Sequence, residues 1–298
     1  MDLATFLQQI INSFSVGSMY ALIAIGYTMV YGVLRLINFA HGDIMMVGVY
    51  FAFFAMSVFA LPFGFAVIIA IGGAIVVGVL IDKIAYKPLR DAPRISLLIT
   101  AIGMSFFLEN IVNVLYGSTP VAFDVPDFFS QTFNLKGVIV TPTIIIVPIV
   151  TLLLLACILY ILYKTKYGMA IRALAFDIQT VNLMGIDANK IIMLVFAVGS
   201  GLAAIGGIFW AINYPTIEPL MGVLIGLKAF AAAVLGGIGS VAGALLGGFI
   251  LGFTEVMFVA FVPELGGYKD AIAFVFLILV LLFRPTGIMG INFEKARF

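Results

Sequence analysis

Charge is scarce in this chain. Asp, Glu, Lys and Arg together make up 10% of its 298 residues, whereas a soluble domain is roughly a quarter charged. That excludes a water-soluble globule. Fifteen Lys and Arg against fourteen Asp and Glu leave a net charge of +1, so neither a strongly acidic nor a strongly basic partner is implied. Cysteine is nearly absent. The single Cys157 lies in an apolar run, which excludes a disulfide framework and a thiol metal site. Histidine is equally rare. His41 has one Asp two residues away, too few ligands for a metal. No phosphate-cradling loop ending in Gly-Lys-Ser/Thr is present. No activated Ser or Cys is indicated, and no paired carboxylates stand at an enzymatic spacing. A basic-aromatic strip for nucleic acid is lacking too. These absences point away from an enzyme and from a cofactor of its own. The start, Met-Asp-Leu-Ala-Thr-Phe, has no basic n-region, so the first span is expected to act as its own insertion signal.

What remains is oil, 64% of the residues. The apolar segments do not alternate in polarity, as barrel strands would, so the expected class is an all-α polytopic membrane protein. Nine segments are able to enter a bilayer, at about 20 residues per full span: 8–33, 42–60, 62–82, 95–116, 142–163, 191–213, 222–237, 240–261 and 269–283. The pair 42–60 and 62–82 is split only by Pro62, and 222–237 is short. The expectation is therefore about eight or nine helices, some short or re-entrant. Eleven of the fifteen basic residues fall in three places: Lys83, Lys87, Arg90 and Arg94; Lys164, Lys166, Arg172 and Lys190; and Arg284, Lys295 and Arg297. The positive-inside rule puts these regions in the cytoplasm. Segment 117–141, with Asp124, Asp127 and only Lys136, then lies outside, as does the N-terminus. Arg35, at the inner end of the first span, agrees.

Glycine is abundant, at 31 residues. Gly199, Ala203 and Gly207, and the pairs Gly243/Gly247 and Gly248/Gly252, repeat every four residues, a spacing that lets helix backbones approach closely in lipid. Gly236, Gly237, Gly239 and Gly243 make a tight or re-entrant corner. A comparable corner joins the first two segments at 32–43. The two corners hint at two related halves, as in many transporters.

A charge at mid-bilayer costs roughly 2.5–3.5 kcal/mol on insertion scales, so each one needs a reason. Lys228 falls near the middle of a span. Glu109 and Glu255 fall in the outer halves of theirs. Asn113 shares a helical face with Glu109, Asn12 lies in the outer part of the first span, and Asn38, His41 and Asp43 cluster at the first corner. Each of these either lines a solute path or is satisfied within the bundle. Lys228, for instance, could reach backbone carbonyls or a partner carboxylate.

The longest polar island runs from Lys164 to Lys190. Ile171, Leu174, Ile178 and Val181 recur at spacings of three and four, one stripe of a single short helix. Arg172, Asp177, Gln179 and Asn182 supply polar groups, and Gly168 and Gly185 are plausible breaks at its ends. Such a helix can dock on another protein at the membrane surface or lie on the headgroups.

Four stretches together are similar to one family. They are Gly17–Asp43, with its Asn-Phe-Ala-His-Gly; Tyr167–Ala173 with Leu183–Asp187; Gly226–Gly248, with its Leu-Gly-Gly-Ile-Gly-Ser corner; and Leu282–Gly287. Nearly the whole chain resembles the permease subunit of branched-chain amino-acid ABC importers. The resemblance implies one transmembrane domain over 1–298, with 164–190 as a cytoplasmic coupling region inside it. Tyr167, Gly168, Arg172, Leu174, Asp177, Ile178 and Gly185 would serve that coupling. The implied partners are a second related permease, two ATPase subunits that hold the ATP, and an extracytoplasmic solute-binding protein, all in a bacterial or archaeal plasma membrane. The implied solute is leucine, isoleucine or valine, with urea or short amides as the family's other cargo. A self-contained channel or secondary carrier is the rival from another class.

Overall fold

The computed structural model describes residues 2–90, 92–135 and 137–290. Lys136, Lys295 and Arg297 lie outside the described residues, as does the side chain of Gln179. Eight helices among the described residues are long and apolar enough to cross a membrane, and a shorter one joins them. In chain order the spanning helices are α1 (Leu3–Leu34), α2 (Ala40–Ser57), α3 (Phe63–Ile81), α4 (Arg94–Tyr116), α6 (Pro142–Lys164), α9 (Ala188–Asn213), α11 (Val241–Phe261) and α12 (Lys269–Phe283), the last entered through a turn at Pro263–Tyr268. The short one is α10 (Met221–Gly236). The nine expected segments therefore stand, with ends shifted by a few residues. A single turn, α5 (Asp127–Ser130), and two surface helices, α7 (Lys166–Leu174) and α8 (Ile178–Leu183), complete the set.

Local chemistry starts these helices. Asp2 accepts from the Thr5 amide at 2.9 Å and so caps α1, relieving one of the unpaired donors at a helix start. Ser240 does the same for α11, accepting from the Gly243 amide at 3.1 Å. Helix α1 ends where Arg35 takes a left-handed conformation, φ 52°.

Loop contacts sort the helix ends into two faces. On one face, Gln8 accepts from the Ile139 amide at 2.7 Å. That ties the start of α1 to a hairpin of β2 (Phe133–Leu135) and β3 (Val138–Val140). There too, β1 (Val121–Ala122) pairs antiparallel with β4 (Thr216–Ile217). On the opposite face Arg35 donates to the Ala175 carbonyl at 2.9 Å, and Arg90 donates to Asn189 at 2.5 Å. The amides of Ile288 and Met289 donate to the carbonyls of Leu235 and Gly236, at 2.9 and 2.8 Å.

Helix α1 is the axis of the bundle. Met19 through Ile25 are completely sealed from outside. Helices α3, α4, α6 and α12 form the periphery and turn side chains such as Phe65, Phe107, Leu153 and Leu282 outward. Helix α1 packs on α11 and α9, and α9 also packs on α3; α2 packs on α3 and α4, and α10 packs on α11 and α12. Helix α2 also touches α10, and Gly26 on α1 faces Gly199 on α9. The two glycine corners also approach one another: a Cβ on Gly32 would lie 3.8 Å from the Cα of Gly239.

Only glycine fits the α2–α10 crossing. A Cβ on Gly42 would lie 2.8 Å from the Cα of Gly226 and closer still to the Gly222 carbonyl. Gly42→Val is expected to cost about 1–3 kcal/mol by overpacking, read as a lower melting temperature of the detergent-solubilised chain. An unchanged melting point would mean the helices part without cost.

The first corner is re-entrant, one of the two forms expected of it. Leu36–Phe39 turns back into the bundle, and α2 starts inside it. His41 and Asp43 are therefore buried among helices. The ring of His41 packs 4.5 Å from that of Tyr27. Asp43 accepts a hydrogen bond from Ser105, halfway along α4.

Candidate functional site

The interior charges find each other. Lys228 on α10 donates to Glu255 on α11 at 2.9 Å and to the Tyr20 hydroxyl at 3.1 Å. Tyr20 in turn donates to the other Glu255 oxygen at 2.9 Å. Asp270, on the first turn of α12, lies 2.5 Å from the Lys228 ammonium. Lys269 stands 3.9 Å from Glu255. Two carboxylates and two ammonium groups thus balance between α10, α11 and the first turn of α12. Lys228 is satisfied by partner carboxylates, one of the two roles open to it from the sequence. Asp270, Lys269 and Tyr20 were not legible as partners. Adjacent opposite charges at the mouth of a span read as ordinary boundary residues, and an aromatic in an apolar span reads as core.

Above this cluster opens a cavity of about 1310 Å³. Asn12, Ser15, Asn213, Glu255 and Lys269 supply its polar wall, between the start of α1 and the end of α11. Glu109 and Asn113 do share a face, as their spacing predicts. They line a separate cleft of about 110 Å³ with Ser118 and Glu218. Ser105 donates to Asp43 and lies 3.3 Å from Glu109, so α2 and α4 are joined by one hydroxyl between two acids. Asn38 accepts from Tyr86 at 2.6 Å in the closed interior. The seven residues singled out as a solute path thus fall into three groups and do not form one cleft. The physical reason is the glycine packing, because α1 against α9 and α2 against α10 leave no room between the backbones.

The island on the opposite face is two helices, not one. Thr165 ends α6 and caps α7, accepting from the Gly168 amide at 3.2 Å. A Cβ on Gly168 would strike the carbonyls of Ile161 and Leu162, so the chain turns this sharply only with glycine there. The stripe breaks at Ala175–Asp177, where the Asp177 carboxylate accepts from the Thr180 amide at 3.2 Å and starts α8. An acid at that point is a better cap than a mid-helix residue. Ile171, Leu174 and Val181 are buried against the chain's own bundle, and Ile178 is half-buried. Leu174 is 1% exposed, which takes it out of reach of another protein.

The outward side of the island holds Tyr167, Met169, Phe176, Leu183 and Met184, from 62% to 89% exposed. Arg172 is exposed too, its guanidinium 5.2 Å from the centre of the Tyr163 ring. Gly185 has φ 80°, the left-handed step that ends α8. Asp187 then caps α9 through the amides of Asn189 and Lys190. A second latch holds the neighbouring loop: Arg90 pairs with buried Asp82 at 2.5 Å.

A closed helical bundle with a polar cavity at one rim and a folded surface island at the other defines a multi-pass membrane protein of the transporter type. This chain belongs to the family described as branched-chain amino acid transport system / permease component, whose model matches residues 9–281. It is 44% identical over 300 residues to the high-affinity branched-chain amino acid transport system permease protein BraD of Pseudomonas aeruginosa, covering 96% of each chain. The corresponding LivH protein of Escherichia coli K12 is 42% identical over 299 residues, again covering 96% of each. A probable LivH from Methanocaldococcus jannaschii is 30% identical, over 94% of this chain and 91% of its own. Proteins of this family are transport subunits, not enzymes.

Proposed function

We propose that the chain is one half of an ATP-driven importer of leucine, isoleucine and valine in a bacterial or archaeal plasma membrane. A second related permease completes the passage. Two ATPase subunits hold the ATP, one of them docked at this chain's island, and an extracytoplasmic receptor delivers solute to the cavity near Asn12 and Glu255. This chain holds no cofactor. The basic loops 83–94 and 164–190 face the cytoplasm, as does the C-terminus, and the N-terminus lies outside. The observation that carries the solute is end-to-end identity above 40% with permeases named for branched-chain amino acids.

The coupling route is mechanical. An ATPase engages the exposed side of residues 164–190, a region within the single 1–298 domain. Arg35 holds the Ala175 carbonyl, so a shift of the island is felt at the joint between α1 and α2. The bundle then rocks between outward-open and inward-open arrangements. ATP drives the cycle only if its binding prefers one of them. The interior seal suits a passage formed between two permeases rather than through one.

The test is uptake by the source cells with and without this gene. Deletion should abolish high-affinity uptake of labelled leucine, isoleucine and valine, and the wild-type gene should restore it. The tagged chain should bring down an ATPase carrying a phosphate-binding loop. Unaltered uptake of all three amino acids, with loss of labelled urea or acetamide uptake instead, would reassign the solute. Transport by the purified chain alone in vesicles without ATP would overturn the motor.

A further inference from the structure

On the island side a crevice of about 550 Å³ runs between α6 and α9. Its walls are Met29 of α1, Val79 of α3, Ile158 and Leu162 of α6, and Ile171 of α7, with Val198 closing the depth. Polar groups occur only at the mouth, from Thr165, Tyr167 and Lys190. From Lys190 to Val198 the crevice follows eight residues of α9, about 12 Å at the helical rise. It therefore starts at the level of the surface island and ends among apolar side chains at membrane depth.

The mouth is cationic. Lys190 stands on its lip, and Lys164 and Lys166 flank the lip residue Thr165 in the chain and are exposed, against one carboxylate beside Lys190, that of Asp187. The Lys190 side chain is 78% exposed and meets Asp187 only at 3.5 Å, a loose surface pair. Such pairs contribute little, so the ammonium can turn to another anion. An apolar slot with a cationic lip at a membrane boundary matches one class of ligand, an acyl chain ending in a negative headgroup.

We infer that this crevice binds an anionic diacyl phospholipid, with an acyl chain between α6 and α9 and the phosphate at Lys190 beside Tyr167. Ile171 forms part of the wall, so the bound chain packs directly against the buried face of α7. The lipid then helps to seat the island in its observed place. Assignment to the cytoplasmic leaflet rests on the orientation proposed above; the binding itself does not.

Native mass spectrometry of the full-length chain, released from detergent with added phosphatidylglycerol or phosphatidylcholine, tests this. The wild type should retain one phosphatidylglycerol with about a ten-fold preference over phosphatidylcholine. Ala197→Phe, which fills the slot, should lose retention of both. Lys190→Glu, at an exposed position that leaves the fold alone, should lose the preference. Equal retention of the two lipids by the wild type would overturn the inference. So would undiminished phosphatidylglycerol preference in Lys190→Glu. If the isolated chain binds phosphatidylglycerol but the complex with its second permease excludes it, the crevice is a subunit contact and the lipid assignment falls. Because lipid retention is read without transport, its failure leaves the importer reading standing, and a failed uptake test leaves this one standing.

Discussion

Lys228→Met is expected to destabilise the chain by about 3–5 kcal/mol, the usual cost of removing one partner from a buried ion pair. The Lys228 side chain is 5% exposed and holds both Glu255 and Asp270. Methionine fills similar space but leaves the buried Glu255 carboxylate with Lys269 alone, at 3.9 Å, while Asp270 stays partly exposed to solvent. In a low-dielectric interior that is a strong penalty. The effect is read as a large drop in melting temperature and in the monodisperse yield from detergent. Lys228→Met combined with Glu255→Gln should recover much of the loss, because it removes one stranded charge together with its partner. The difference between the single and combined variants isolates the pair. A single variant that melts with the wild type would show that the network adds nothing to the fold.

A comparable loss, of function rather than fold, is expected from Phe176→Asp with Leu183→Asp. Both side chains are largely exposed, at 74% and 89%, so the changes should leave the melting temperature alone. If this surface seats an ATPase, two charges in its apolar patch should reduce ATPase co-purification by about ten-fold or more. Uptake should fall with it. Normal uptake by the double variant would remove the island as the motor's seat. Leu174→Asp is a poor probe of the same idea. That residue faces the chain's own bundle, and an aspartate there unseats α7 whatever the ATPase does.

Composition and hydropathy determined the class of protein and the number of membrane-entering segments. A bilayer accepts only helices or closed barrels whose backbones are paired internally, and without alternating polarity the long apolar runs locate helices. Glycine spacing pointed to close helix contact, and Gly248 against Ala21 and Gly252 against Gly17 are such contacts. The island was legible as polar, amphipathic and glycine-bounded. Three things waited for the tertiary structure. Asp177 starts a new helix because its carboxylate reaches a free amide, a choice that hydrophobic spacing does not encode. The stripe of Ile171 and Leu174 turns inward because α6 and α9 offer an apolar seat, which leaves Phe176 and Leu183 outside. Lys228, Glu255, Asp270 and Tyr20 come from four helices, up to 250 positions apart in the chain. A sequence gives each interior charge a cost, but only packing supplies the partner that offsets it.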